Sequence, residues 1–453
     1  MARRARSGRT RIGKVSLYRH RHSFWIYYRE NGQPQRRRLG QDSVDAYAVA
    51  AQINADLAKQ QPTMLSFRPA TVEELRRRWL EQHEHVLRSS LATVSRYTTA
   101  TQHLLTYCES GANPRHAHEL QVEGFVRWLR LREVAPNGHP HAARRTLRDK
   151  GIQFVLGACR SMYSYAQKHG MLPPYANNPF TALRVEQLPV EDAKPIHVFS
   201  TEEEGGFLSA CDRWQFPIFY ALAKLGLRSG ELTHLLVEDV DLALGMLHIR
   251  NKPELGWQIK TRNARSIPLP ADILAVLRYV IGDRKGGVLF FRQRFLAPGE
   301  PPPAMSTRRL MVEALSSRAD GAKVAGGTIG RVEVARIARR VWHDAGFLDS
   351  DDIRNAFMEI TRRIGLPDVT CPKCWRHTFA TLLQEAGVDP LIRQQTMGHV
   401  PAGAGRQLLG MTATYTHTQL EVHRQQLQRA MDLRPKTIAL VQEFLANCQG
   451  GRG

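Results

Sequence analysis

The chain has 453 residues, too many for a single hydrophobic core and suited to two or three domains. Lys and Arg number 64 against 42 Asp and Glu, a formal net charge of +22 that points to a polyanionic partner, nucleic acid foremost. A hydrophobic share of 42% is enough for real cores and sets the chain apart from short ribosomal or histone-like proteins. No apolar run approaches the ~18–20 residues of a membrane span, and no apolar stretch of signal-peptide type follows the arginine-rich start. Six scattered cysteines make no disulfide framework and fit a reducing cytoplasm, and Cys371 and Cys374, a lone CxxC, read as two ordinary thiols and not as a zinc site.

Residues 1–40 hold twelve Arg or Lys against one acid, Glu30. Lys14–Tyr18 and Phe24–Arg29 are β-prone, Asn31-Gly32 is a hairpin turn, and Gln35–Leu39 offers a third strand. A small sheet carrying Arg36, Arg37 and Arg38, with Trp25 and the basic Arg19 and Arg21 nearby, is a candidate reader of a DNA groove. The plainer alternative is a solvated basic sheet that touches only phosphates. Ser43 is expected to cap a helix running to Ala58.

From Thr71 the pattern turns helical. Thr71-x-x-Glu74 reads as a capping box ahead of Leu75, Trp79 and Leu80, and Thr93–Cys108, Glu119–Arg132 and Arg145–His169 continue as helices. Together they predict a helical domain over about 68–188 whose surface is rich in arginine, one half of a clamp around a duplex. Ser200-x-x-Glu203 is a second capping box and opens a third domain. Phe216–Leu225 is an apolar helix leading into GLRSGEL. Met246–Arg250, Gln258–Lys260 and Ser266–Leu269 read as a small antiparallel sheet. Residues 284–370 are expected to be a peripheral insertion and 436–453 a C-terminal tail.

The stretch from Cys371 to His417 carries the densest chemistry. Trp375, Phe379, Leu382 and Leu383 recur at helical spacing and place Arg376 near the start of a helix. Met397-Gly398-His399 closes the next helix on a glycine, and Tyr415 stands among Thr412, Thr414, Thr416 and His417, a polar setting for an aromatic ring. A helix-borne arginine, a histidine after glycine and a polar-flanked tyrosine suggest an anionic substrate and a phenolic nucleophile.

In chain order LGLRSGEL, a KT followed by IPL, WRHTFA, MGH and YTH resemble the tyrosine recombinase (phage integrase) family, strongly over about 197–433 and by domain order over 70–185. The resemblance implies a mainly α fold with small antiparallel sheets. Its parts are an arm-type DNA-binding domain at 1–62, a helical core-binding (SAM-like) domain at 68–188, and a mixed α/β catalytic domain at 197–435. Residue by residue, Arg228 matches the first family arginine, Glu231 the acidic position that holds the arginines, and Lys260 the hairpin lysine, with Lys252 its competitor. Arg376 matches the second arginine, His399 the third-motif histidine and Tyr415 the nucleophile. Two positions depart from the pattern: Lys373 stands where the family usually has histidine, and Pro401–Gly410 lengthens the path from His399 to Tyr415.

These residue types suit phosphodiester chemistry. Paired guanidiniums stay charged and can hold the two non-bridging oxygens, while a phenolic nucleophile conserves the bond as a phosphotyrosine. No acidic cluster of magnesium-binding type is evident, so no metal or other cofactor is expected. The resemblance further implies duplex DNA target sites, a homotetramer in the synaptic complex formed from free monomers, and a DNA-bending accessory protein. It also implies a cytoplasmic, nucleoid-associated setting. A type IB topoisomerase and a DNA-binding protein that has lost catalysis are the alternatives.

Overall fold

The structure, a computed structural model, describes residues 8–398 and 419–449, apart from short stretches at 62, 67–68, 111–114, 136–137, 139–140, 174–175, 194, 298–299, 302 and 324–326. It divides into two compact units, Met1–Lys194 and Pro195–Gly453.

The first unit contains two cores. Four antiparallel strands, β1 Arg9–Ile12, β2 Val15–His20, β3 Ser23–Glu30 and β4 Gln33–Gly40, pair in sequence order. Strict alternation sends Val15, Leu17, Ile26 and Tyr28 to one face, where they pack on Ala46, Ala50 and Ile53 of α1, Ser43–Ala58. The first strand was not anticipated: it is exposed along most of its length and brings only Ile12 to the core. Asp42, not Ser43, caps α1, accepting from the amides of Val44 and Asp45. Buried Glu30 accepts from the Thr63 amide and hydroxyl and from Ser66, tying the chain after α1 back to the sheet.

The second core gathers α2 Val72–Glu81, α3 Leu91–Glu109, α4 Val122–Leu131 and α5 Asp149–Lys168 around Trp79, Leu104, Phe125, Leu156 and Tyr163. Thr71 caps α2 as expected, but the Glu74 carboxylate pairs with Arg78 and does not close the box. Arg145–Thr146 is not helical. It forms strand β6, paired with β5 Glu133–Val134, and α5 begins only at Asp149.

The second unit is built on α6 Thr201–Ser209, α7 Gln215–Leu225, the short α8 Ser229–Thr233, a three-stranded sheet of β7 Val240–Asp241, β8 Met246–Ile249 and β9 Arg265–Pro268, and α9 Ala271–Ile281. Gln258–Lys260, expected as a strand, is loop and turn, so β8 pairs directly with β9. The reading of 284–370 as a peripheral insertion is corrected. Its helices α10 Arg308–Gly321 and α11 Arg331–Asp344 enclose a satellite core of Met311, Val341 and Trp342 with Leu236 and Leu255, and α12 Ser350–Arg363 sends Ile353, Phe357 and Ile360 into the main core. After α13 Cys374–Glu385 and α14 Pro390–Met397, α15 Leu420–Asp432 buries Leu427, Ala430 and Met431 within its own chain. The segment expected as a tail is likewise corrected. It is a helix, α16 Pro435–Gln449, with Val441 in the core and Phe444 stacked on Phe216 at 4.5 Å. Among the described residues no helix is long and apolar enough to cross a membrane.

Candidate active site

The site starts from a glycine. Gly226 ends α7 in the left-handed conformation, φ +57°, and a Cβ there would meet the Phe379 ring at 2.3 Å and Met397 Sδ at 3.0 Å. The corner turns the chain from the buried α7 into Arg228 at the cap of α8. It also brings the backbone of this stretch against α13 and the end of α14.

Arg376 lies on the first turn of α13, whose register is set by Trp375. That indole is fully buried and stacks on Phe199 at 4.1 Å, while the Phe199 amide donates to Thr378 Oγ1. One helical step round, the Arg376 guanidinium is buried and donates to the carbonyls of Gly226 and Met397, which fixes its plane. Burial first, and then the like charge of Arg228, lower it to about 10, so it remains cationic at neutral pH.

Arg228 is only partly exposed. Its Nη1 donates to Glu231 Oε1 at 2.7 Å, and its amide donates to Oε2 at 3.0 Å. Glu231 also accepts a fork from Arg265, Nη1 at 3.1 Å and Nη2 at 2.8 Å. Burial alone would raise the Glu231 carboxyl, but the bonds and charge of Arg265, joined by those of Arg228, outweigh it and hold the group at about 2. Two guanidiniums thus share one carboxylate with the Arg376 charge close by, and the cluster carries an excess of positive charge around fixed donors. An oxyanion would complete it.

Of the two lysines in contention, Lys252 is buried against Asp239 at 2.8 Å and is consumed in structure. Lys260 is exposed on a turn pinned by Asn251, which accepts from the Ile259 amide and donates to the Arg262 carbonyl. Lys373 is exposed immediately before α13. His399 and Tyr415, with the Pro401–Gly410 stretch, lie outside the described residues. Arg265 and Asn251 were not singled out from sequence. Arg265 stands inside the same motif as Lys260, and that position was the available signal. Among the described residues no group of three or more His, Cys, Asp or Glu is placed to hold a metal ion.

In the first unit, the face of the sheet away from α1 gathers three of the six expected DNA-binding residues. Trp25 pairs with Arg38 and Tyr27 with Arg36, and Arg36 lies over Tyr18 and Trp25 at 5.6 and 5.0 Å. Arg9, unanticipated, lies over Tyr18 and Tyr27 on the same face. Alternation puts Arg19, paired with Phe24, and Arg37, paired with Ile26, on the α1 side, while Arg21 occupies a turn at φ +56°.

Residues 208–421 match the model of the phage integrase family. The chain is 28% identical over 274 residues to the tyrosine recombinase XerC of Pelobacter propionicus, covering 59% of this chain and 68% of that one. With XerC of Xanthomonas campestris pv. campestris the identity is 31% over 174 residues, 37% of this chain and about half of the relative, 48%. Among solved structures, the Tn1549 transposon integrase in complex with transposon right end DNA superposes with a TM-score of 0.51 at 18% identity, covering 80% of this chain and 99% of that one. That similarity speaks to the fold. Over residues 208–421, then, the chain is similar to the phage integrase family of tyrosine recombinases, in agreement with the order of its motifs.

Proposed function

We propose that the protein is a site-specific DNA recombinase that cleaves and rejoins strands through a covalent 3′-phosphotyrosine, acting for a mobile element or phage. The observation that carries this reading is the cluster in which Arg228, held by Glu231, and Arg376, held by two backbone carbonyls, lie close enough for each charge to be felt by the other. A phosphodiester takes up negative charge on two non-bridging oxygens when it is attacked, and fixed guanidiniums stabilise that charge without reorganising.

In this reading the Tyr415 phenolic oxygen attacks phosphorus and the bond from phosphorus to the 5′-oxygen breaks. Lys260, free of any buried partner and carried on a pinned turn, gives the departing oxygen its proton. Lys373 and His399 orient the phosphate and exchange protons. Attack by a 5′-hydroxyl from the partner strand reverses the step, and no bond energy is lost. Glu231 acts through the arginines. The basic outer face of the N-terminal sheet, with Arg36, Arg38, Trp25 and Arg9, suits contact with phosphates and base edges in a groove, and the arginine-rich bundle at about 68–188 suits a clamp on the core site. The working assembly is a homotetramer of subunits that are monomeric when free, on two duplex sites and with a DNA-bending partner, at the nucleoid in the cytoplasm.

The test is a nicked suicide duplex carrying the element's own terminal sequence, resolved on denaturing gels. A protein–DNA adduct is expected from the wild type and none from Tyr415→Phe. Arg228→Ala and Arg376→Ala should each lower its rate by about 10²–10³-fold. Tight duplex binding with no adduct from the wild type would overturn catalysis and leave a DNA-binding protein.

A further inference from the structure

We propose that Arg265 is a positioning residue of this site: it sets the orientation of Arg228 through Glu231 and braces the corner at Gly398 from which the chain continues to His399. The inference rests on the recombinase reading above and adds a member to its machinery.

Two stretches distant in sequence meet on this guanidinium. Nη1 and Nη2 clasp both oxygens of Glu231, the carboxylate that also receives the amide and side chain of Arg228. Nε donates to the Thr396 carbonyl at 2.9 Å, in the last turn of α14. Gly398, in the left-handed region at φ +61°, lies so close that a Cβ there would come within 2.8 Å of Arg265 Nη1 and 3.0 Å of its Cδ. Finally, Arg265 opens β9, paired with Ile249, so its backbone also anchors the far side of the Lys260 turn.

The Arg265 side chain is only 6% exposed and its nitrogens are spent on protein acceptors, so it acts on the substrate only through its neighbours. Its planar fork makes the role specific. A guanidinium can hold a carboxylate bidentately and still aim Nε at a third acceptor, whereas an ammonium is a single point of charge that can serve one of them. Without the fork, Glu231 is free to rotate, and Arg228 no longer meets the phosphate at a fixed angle. Duplex affinity rests on many phosphate contacts and should hardly change. Transition-state stabilisation depends on this angle and should fall.

The experiment measures single-turnover cleavage of the suicide duplex at saturating concentration, alongside duplex Kd. Arg265→Gln is expected to cleave about 100-fold more slowly with Kd within about threefold of wild type, and Arg265→Lys to recover part of that loss. Glu231→Gln added to Arg265→Gln should lower the rate little further, because both act on one orientation. Should the Gln variant fail to fold, Arg265→Lys decides. A wild-type rate at saturation in the folded variants, a loss confined to Kd, or full additivity with Glu231→Gln would overturn the proposal. If the wild type itself forms no adduct, the recombinase reading has failed instead.

Discussion

Glu231 concentrates the electrostatics of the site in one carboxylate, which is only 3% exposed and is clasped by two arginines. Removing it leaves Arg265 buried beside Arg376 without its counter-charge, so Glu231→Gln should cost about 3 kcal/mol of stability at neutral pH. Its pKa of about 2 lies below the ordinary 4.5. The stabilisation is therefore complete above about pH 4.5 and is lost as the pH falls towards 2. Denaturant titrations of both proteins from pH 7 to 2.5 should show the gap between them narrowing below pH 4.5, and equal stability at pH 7 would refute the role. At this scale the motif residues could be read from sequence, because guanidiniums and an acid sit at characteristic places in short apolar contexts. Arg265 could not be assigned a role that way. Its acceptors lie 34 and 131 residues away, and only the folded chain brings them together.

Elements whose apolar period closes on a nearby partner were legible. The helix bearing Arg376 follows from Trp375, Phe379, Leu382 and Leu383, and the capping box at Ser200 and Glu203 forms in full. Elements that depend on distant packing were not. Ile353, Phe357 and Ile360 have helical spacing, but nothing local says that they face the main core, and the segment looked peripheral as a result. The same holds for α16. Its ring Phe444 rests on Phe216 and meets Tyr279 edge-on at 5.2 Å, while Arg434, just ahead of the helix, approaches buried Glu204, the partner of Lys224. A true tail would tolerate truncation of that ring. Phe444→Ala should instead cost roughly 2 kcal/mol and lower the melting of the second unit by roughly 4–8 °C. Calorimetry of the full chain, in which the first unit's transition serves as internal reference, reads the difference. An unchanged second transition would restore the tail.

Over the whole molecule the charge is divided unevenly. Residues 1–194 hold 31 Lys and Arg against 16 Asp and Glu, a net +15, while residues 195–453 hold 33 against 26, a net +7. Four of the second unit's basic side chains are committed to largely buried pairs: Lys224 to Glu204, Lys252 to Asp239, and Arg265 and Arg228 to Glu231. The outer face of the N-terminal sheet instead presents guanidiniums over aromatic rings. On the proposed recombinase reading, long-range attraction and grip on the duplex are expected mainly from the first unit, and chemistry from the second. Each phosphate neutralised releases condensed counterions and adds about 0.9 to the slope of log K against log salt. Replacing Arg9, Arg36 and Arg38 together by Gln should lower that slope by about 2–3, whereas Tyr415→Phe should leave it unchanged while abolishing the adduct. Titrating a labelled duplex from 50 to 300 mM salt, a range chosen so that binding weakens by about 10³-fold or more, measures both slopes. If the triple variant keeps the wild-type slope, the sheet face is not on the phosphates, and the basic surface of the helical bundle must carry the grip alone.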